Sequence, residues 1–120
     1  MARLLVDGDE VVVHLSWWEG LLARRREVRV PVAAVRGVRV ERDWWRALRG
    51  VGGPGSFVPQ VAALGVRTHP AGYDFAAVRA RRPAVLVELR SPSLSPFARL
   101  AVSMPDAEAA ALRVRRSAGL

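Results

Sequence analysis

Phe97-Ala98-Arg99-Leu100-Ala101-Val102-Ser103-Met104-Pro105-Asp106-Ala107-Glu108-Ala109-Ala110-Ala111-Leu112-Arg113-Val114-Arg115-Arg116 changes its period part-way along. Phe97–Ser103 reads as a strand. From Asp106 onward strong helix formers take over. Asp106 is placed to cap a helix, with Glu108 in its first turn and Arg113, Arg115 and Arg116 in its last, an order that complements the helix dipole. Ala107, Ala110, Ala111 and Val114 then share one stripe of small side chains, suited to close packing on a sheet. One helix is expected, and it closes a chain that otherwise reads as β.

Upstream, short apolar runs alternate between turn signals, the pattern of an all-β sandwich or barrel. Arg3–Val6 and Glu10–Leu15 flank Asp7-Gly8-Asp9, where glycine supplies the positive φ of a tight hairpin. Glu27–Val30 and Val35–Glu41 flank Pro31-Val32-Ala33-Ala34. Val38 and Val40 alternate with Arg39 and Glu41, as a half-buried strand requires. Gln60–Thr68 and Tyr73–Ala80 bracket His69-Pro70-Ala71-Gly72, and Ala84–Leu89 follows Arg81-Arg82-Pro83. The expected fold is mainly β: a bent antiparallel β-sandwich or barrel of seven or eight strands, capped by one C-terminal α-helix. One domain over 1–117 with a short tail at 118–120 accounts for the chain.

With 120 residues, 51% of them hydrophobic, there is enough apolar material for a single core. No cysteine is present, which leaves no disulfide framework and no thiolate nucleophile or ligand. The formal charge is +8, and all 19 basic residues are arginine. Lysine, isoleucine and asparagine are missing, while arginine, alanine, glycine, proline and valine abound, a pattern of GC-rich coding. The positive charge is therefore weak evidence of an anionic partner by itself. No apolar run approaches the ~20 residues that span a bilayer, and Asp7, Asp9 and Glu10 interrupt the N-terminus before a signal-peptide stretch could form. A cytoplasmic protein is expected, with peripheral association to the inner face of the membrane as a further option.

The order of strands and closing helix resembles the pleckstrin-homology-like (PH-like) superfamily. Locally the chain is similar to a family of small actinobacterial PH-like proteins of unassigned function. The resemblance is carried by Val28–Val38, Trp45–Gly50, Asp74–Val78, Arg82–Leu89 and Ser95–Leu100, none of which is a catalytic motif. That family's Gly-Thr-Gly-aliphatic-Pro-Gly turn is altered here to Gly53-Pro54-Gly55-Ser56-Phe57-Val58-Pro59-Gln60. Phosphoinositide-binding PH domains use a basic loop between their first two strands. Asp7-Gly8-Asp9 is acidic at that place, so the resemblance implies no such lipid site.

A phrase occurs twice. Ser16-Trp17-Trp18-Glu19-Gly20-Leu21 follows the second strand and Asp43-Trp44-Trp45-Arg46-Ala47-Leu48 the fourth. Ser16 with Glu19 forms a capping-box pattern and Asp43 is a good N-cap, so each phrase is expected to form one helical turn. Adjacent residues on a turn point about 100° apart. The four tryptophans either plug the ends of the sandwich, or one of each pair is exposed as a contact surface. Arg24-Arg25-Arg26 adds a basic patch to the first pair, against the alternative of a solvated loop. Arg79, Arg81 and Arg82 form a second cluster at a turn.

Catalysis finds little support. His14 falls on a strand and His69 in a turn, without metal spacing. Ser16, Ser56 and Ser103 lack a nucleophile-elbow context. Gly50–Gly55 lacks the Gly-Lys-Ser/Thr of a phosphate loop and reads as a strand connection. The expected function is a non-enzymatic binding module with no cofactor and no metal. It recognises a protein partner or a second copy through exposed aromatics or a strand edge, and the candidate contact residues are Trp17, Trp18, Arg24, Arg25, Arg26, Trp44 and Trp45. The alternative is an anionic membrane surface bound by the Trp/Arg patch, with nonspecific nucleic-acid binding ranked below it.

Overall fold

A computed structural model describes residues 2–52 and 61–120, with the backbone alone at 61 and 62. The first hairpin follows from its turn: β1 (Arg3–Asp7) pairs with β2 (Glu10–His14) so that Asp7 faces Glu10, leaving Gly8 and Asp9 as the loop. Gly8 has φ +60°, and glycine at the first loop position is what a two-residue type II′ connection asks for. α1 (Trp17–Ala23) leads into β3 (Glu27–Pro31), which completes a three-stranded antiparallel sheet in the order β1-β2-β3. A 3-10 turn (Val32–Ala34) delivers the chain to β4 (Val35–Glu41).

The second sheet has six strands in the order β4-β8-β9-β7-β6-β5. Its members are β4, β5 (Val51–Gly52), β6 (Val61–His69), β7 (Gly72–Arg79), β8 (Ala84–Leu89) and β9 (Arg99–Ser103). Among the described residues there are nine strands, where seven or eight were expected. The two-residue β5 falls in a stretch read as a connection. The last strand begins at Arg99, two residues after the expected Phe97. The barrel alternative is overturned, because the strands form two separate sheets. The expectation of a wholly antiparallel arrangement fails at one place: β9 inserts between β7 and β8 and runs parallel to β7. The turn from β7 to β8 therefore bridges the strand that follows both of them.

Alternation decides which side of the large sheet each residue serves. Phe75 and Ala77 of β7, Val85, Val87 and Leu89 of β8 and Leu100 and Val102 of β9 face the three-stranded sheet, meeting Leu4, Val11, Val13, Val28 and Val30 in the main core. α2 (Ala107–Ser117) closes this core with the stripe Ala107, Ala110, Ala111 and Val114. Its side-chain cap is missing, however: Asp106 pairs with Arg113 at 3.6 Å instead. Arg115 donates to the Val38 carbonyl of edge strand β4 at 2.6 Å, so part of that edge is already occupied. On the opposite face of the large sheet, Ala76, Val78, Ala84, Leu86 and Ala101 form a second core with Ala47 and Ala63. Residues 118–120 fold back on α2, with Gly119 and Leu120 donating to the carbonyls of Arg116 and Arg115.

Candidate contact surface

The two tryptophan phrases fold differently. Around Ser16 the capping box forms: the Glu19 carboxylate accepts the Ser16 backbone N–H at 3.0 Å and its hydroxyl at 2.6 Å. This satisfies the N-cap N–H at the helix start, and α1 runs on through seven residues, longer than the single turn expected. Arg24 ends it in the left-handed region at φ 57°. The chain then turns back so closely that a Cβ at Gly20 would lie 3.0 Å from the Arg25 carbonyl oxygen. At Asp43 no side-chain cap forms. Its carboxylate turns toward Arg46 at 3.6 Å, and Trp44–Ala47 is a 3-10 turn.

In each phrase one tryptophan is exposed and one packs. Trp17 is 78% exposed and Trp45 57%. Trp18 packs on the main core, whereas Trp44 packs on the second core, edge-on to Trp45 with ring centroids 5.8 Å apart. The pairs thus belong to opposite faces of the six-stranded sheet, and the structure does not unite them in one surface. What it does unite is the first pair with arginines from two places. The Arg25 guanidinium lies 5.4 Å from the Phe75 ring centroid and 5.8 Å from that of Phe97, within cation–π range. Arg79, the last residue of β7, lies over the Trp18 ring at 5.2 Å.

The exposed side of α1 is apolar. Trp17 and Leu21 (70% exposed) share it, as positions i and i+4 of a helix do, and Leu22 stands exposed beside Leu21, about 100° further round. Beside it an open groove of about 840 Å³ runs between Leu15, Gly20 and Arg24–Arg26. Among the described residues, Arg24, Arg25 and Arg26 form no ion pair with a carboxylate. Other arginines serve the fold: Arg29 alone holds Asp7, Glu10 and Glu27 on the outer face of the three-stranded sheet, at 2.7–3.2 Å. Hydrogen bonds to Glu27 and Asp7 raise the pKa of that guanidinium. No family model, curated protein or solved structure matches this chain. The surface therefore has to be read from its own chemistry.

A second polar site has no counterpart among the candidate residues of the sequence analysis. Asp74 is 1% exposed on β7. Arg49 donates to both of its oxygens, at 2.8 and 2.7 Å, and His69 Nε2 lies 2.8 Å from Oδ1. Burial pushes the Asp74 carboxyl upward, but the Arg49 and His69 hydrogen bonds outweigh it and hold the pKa below the ordinary carboxylate range. The same bond raises Arg49. Arg67 donates to the carbonyls of Arg49 and Gly50, at 3.0 and 2.8 Å. Gly50 itself, at φ +67°, leaves no room for a Cβ, which would meet the Thr68 carbonyl. The cluster thus fastens residues 49–52 onto the β6–β7 hairpin. His69 was expected in a turn; it ends β6 with its side chain 5% exposed. Its Nδ1 accepts the Ala71 N–H at 3.2 Å, so both ring nitrogens are engaged within the cluster. The signal was present: a lone carboxylate within Tyr73–Val78, an otherwise apolar run, implies a buried and paired charge. Among the described residues no three of His, Asp and Glu gather as a metal site. The Gly53–Gly55 part of the glycine-rich connection, and the altered turn beyond it, lie outside the described residues.

Proposed function

We propose that this protein is a non-enzymatic binding module and that the exposed face of α1, with Arg24–Arg26, is its contact surface. One observation carries this reading: Trp17, Leu21 and Leu22 stand in water on a helix whose cap and core contacts are already satisfied. Folding gains nothing from leaving a tryptophan so exposed, whereas tryptophan and arginine are the residues that anchor interfaces. The engaged His69–Asp74 pair supports the non-enzymatic part. Use of β4 as a free edge for a partner strand loses support, because Arg115 occupies its Val38 carbonyl. The PH-like kinship belongs to the same proposal. A two-sheet sandwich closed by a helix supports it, and the parallel β7–β9 pair counts against it.

The test places a photo-crosslinking phenylalanine analogue at Leu22, and a control at Ala109 on the exposed side of α2, in cells making the protein. Adducts from position 22 and none from 109 are expected. Equal yields at the two positions, or no adduct at 22 with protein or lipid, would overturn the reading.

A further inference from the structure

Resting on that reading, we propose that the partner of the α1 surface is an anionic lipid bilayer, engaged by two arginine clusters that the fold brings to opposite ends of one apolar helix face. Arg24, Arg25 and Arg26 follow the C-terminal end of α1. Arg79 stacks on Trp18 near its N-terminal end, and the turn that Arg79 opens carries Arg81 and Arg82, both exposed. Neither cluster alone reaches the four to eight cations of a polybasic lipid patch, but together they number six arginines. None of the six makes an ion pair among the described residues, and Arg79 rests on an indole face. The only carboxylate within residues 15–26 and 79–83 is that of Glu19, buried in its capping box. Glu27, which follows Arg26, is already paired with Arg29 at 2.7 Å.

The apolar part selects a bilayer over a protein. Three exposed side chains are far fewer than the roughly 20–30 residues a side of a stable protein interface. A bilayer needs no such area or shape match. Tryptophan at the headgroup level, leucines below it and a collar of arginines are how interfacial segments bind. Guanidinium groups also pair phosphate through two parallel N–H bonds, and Arg25 is held ready by the two phenylalanine rings. Single-stranded nucleic acid would use the cations but would leave the leucines in water.

The full chain is mixed with phosphatidylglycerol–phosphatidylcholine vesicles, with pure phosphatidylcholine vesicles as control, at low and at physiological salt. Co-sedimentation and a blue shift in tryptophan emission are expected with the anionic vesicles only. The shift should vanish in Trp17→Phe and persist in Trp45→Phe. Arg81→Gln/Arg82→Gln should weaken binding by about tenfold or more, since each cation near the surface counts separately. Arg36→Gln/Arg116→Gln, which removes as much charge from β4 and α2, should stay within about twofold. Equal losses in the two double variants would overturn the site, leaving only net charge. No vesicle binding alongside protein adducts at Leu22 would overturn the lipid assignment and spare the contact surface, and neither signal would overturn both. Binding of an oligonucleotide at the expense of vesicles, without a blue shift, would also overturn the lipid assignment.

Discussion

The Asp74 cluster and the α1 surface use the same residue type in opposite ways. Around Asp74 the arginines are spent: Arg49 grips a buried carboxylate and Arg67 two backbone carbonyls. Around α1 they stand beside exposed tryptophan and leucine with no carboxylate partner among the described residues. A chain rich in arginine for reasons of coding fills every structural need for cations and has more to spare. Composition cannot tell the spent arginines from the spare ones, and the difference lies in what each guanidinium faces. The first region should therefore respond to substitution with a loss of stability, and the second with a loss of binding at unchanged stability.

The largest effect is expected at Asp74. Asp74→Asn leaves Arg49 without its counter-ion and breaks the bidentate contact. Removing one partner of a buried pair costs about 3–5 kcal/mol, and the lower end applies because Arg49 is one third exposed. Urea unfolding at neutral pH should show a loss of about 3 kcal/mol, and Tm should fall by roughly 10 °C or more. The pH dependence has a definite sign. The folded-state pKa of Asp74 lies below its unfolded value of about 3.9, so its stabilisation is fully present above that value. It is lost as pH falls through the depressed folded value. The gap between wild type and Asp74→Asn should stay constant from neutral pH down to about 5 and close below about 4. A gap that persists in strong acid would mean that the carboxylate charge is not what holds residues 49–52.

How much of this could be read from residues alone follows their range of interaction. The Gly8 turn, the span of β4, the Ser16–Glu19 box and the alanine stripe of α2 are written in neighbours a few positions apart, and all of them were legible. The parallel insertion of β9 was not, because alternation says which face a residue takes and nothing about which strand lies beside it. Asp74 and Arg49 are 25 positions apart, so only the oddity of a carboxylate in an apolar strand hinted at their contact. The exposure of one tryptophan in each pair was one of two readings that helical geometry left open. Their separation onto opposite faces, and the meeting of Trp18 with Arg79, needed the tertiary fold.

A smaller effect tests whether the capping box is what separates α1 from the 3-10 turn at Trp44–Ala47. Ser16→Ala removes the hydroxyl that donates to Glu19 and should cost about 1 kcal/mol, as loss of a helix cap does. Asp43→Ala should cost about half as much or less, since its side chain caps nothing and its contact with Arg46 is an exposed pair at 3.6 Å. Equal costs at the two sites would show that the box does not set the difference between the phrases.

The smallest effect on stability, and the one that separates the two regions most sharply, belongs to Trp17. Burying a large aromatic side chain is normally worth several kcal/mol, and truncating it leaves a cavity. Trp17 is 78% exposed, so Trp17→Ser removes little that the fold had taken from water. Chemical unfolding should place the variant within about 0.5 kcal/mol of wild type, while the same substitution abolishes adducts or vesicle binding at the α1 surface. A residue that can be deleted without cost to the fold, yet whose loss silences the surface, is kept for the partner. If Trp17→Ser instead costs as much as a core substitution, Trp17 is part of the packing after all. The α1 face would then be one more structural use of a tryptophan, and the contrast with the Asp74 cluster would collapse.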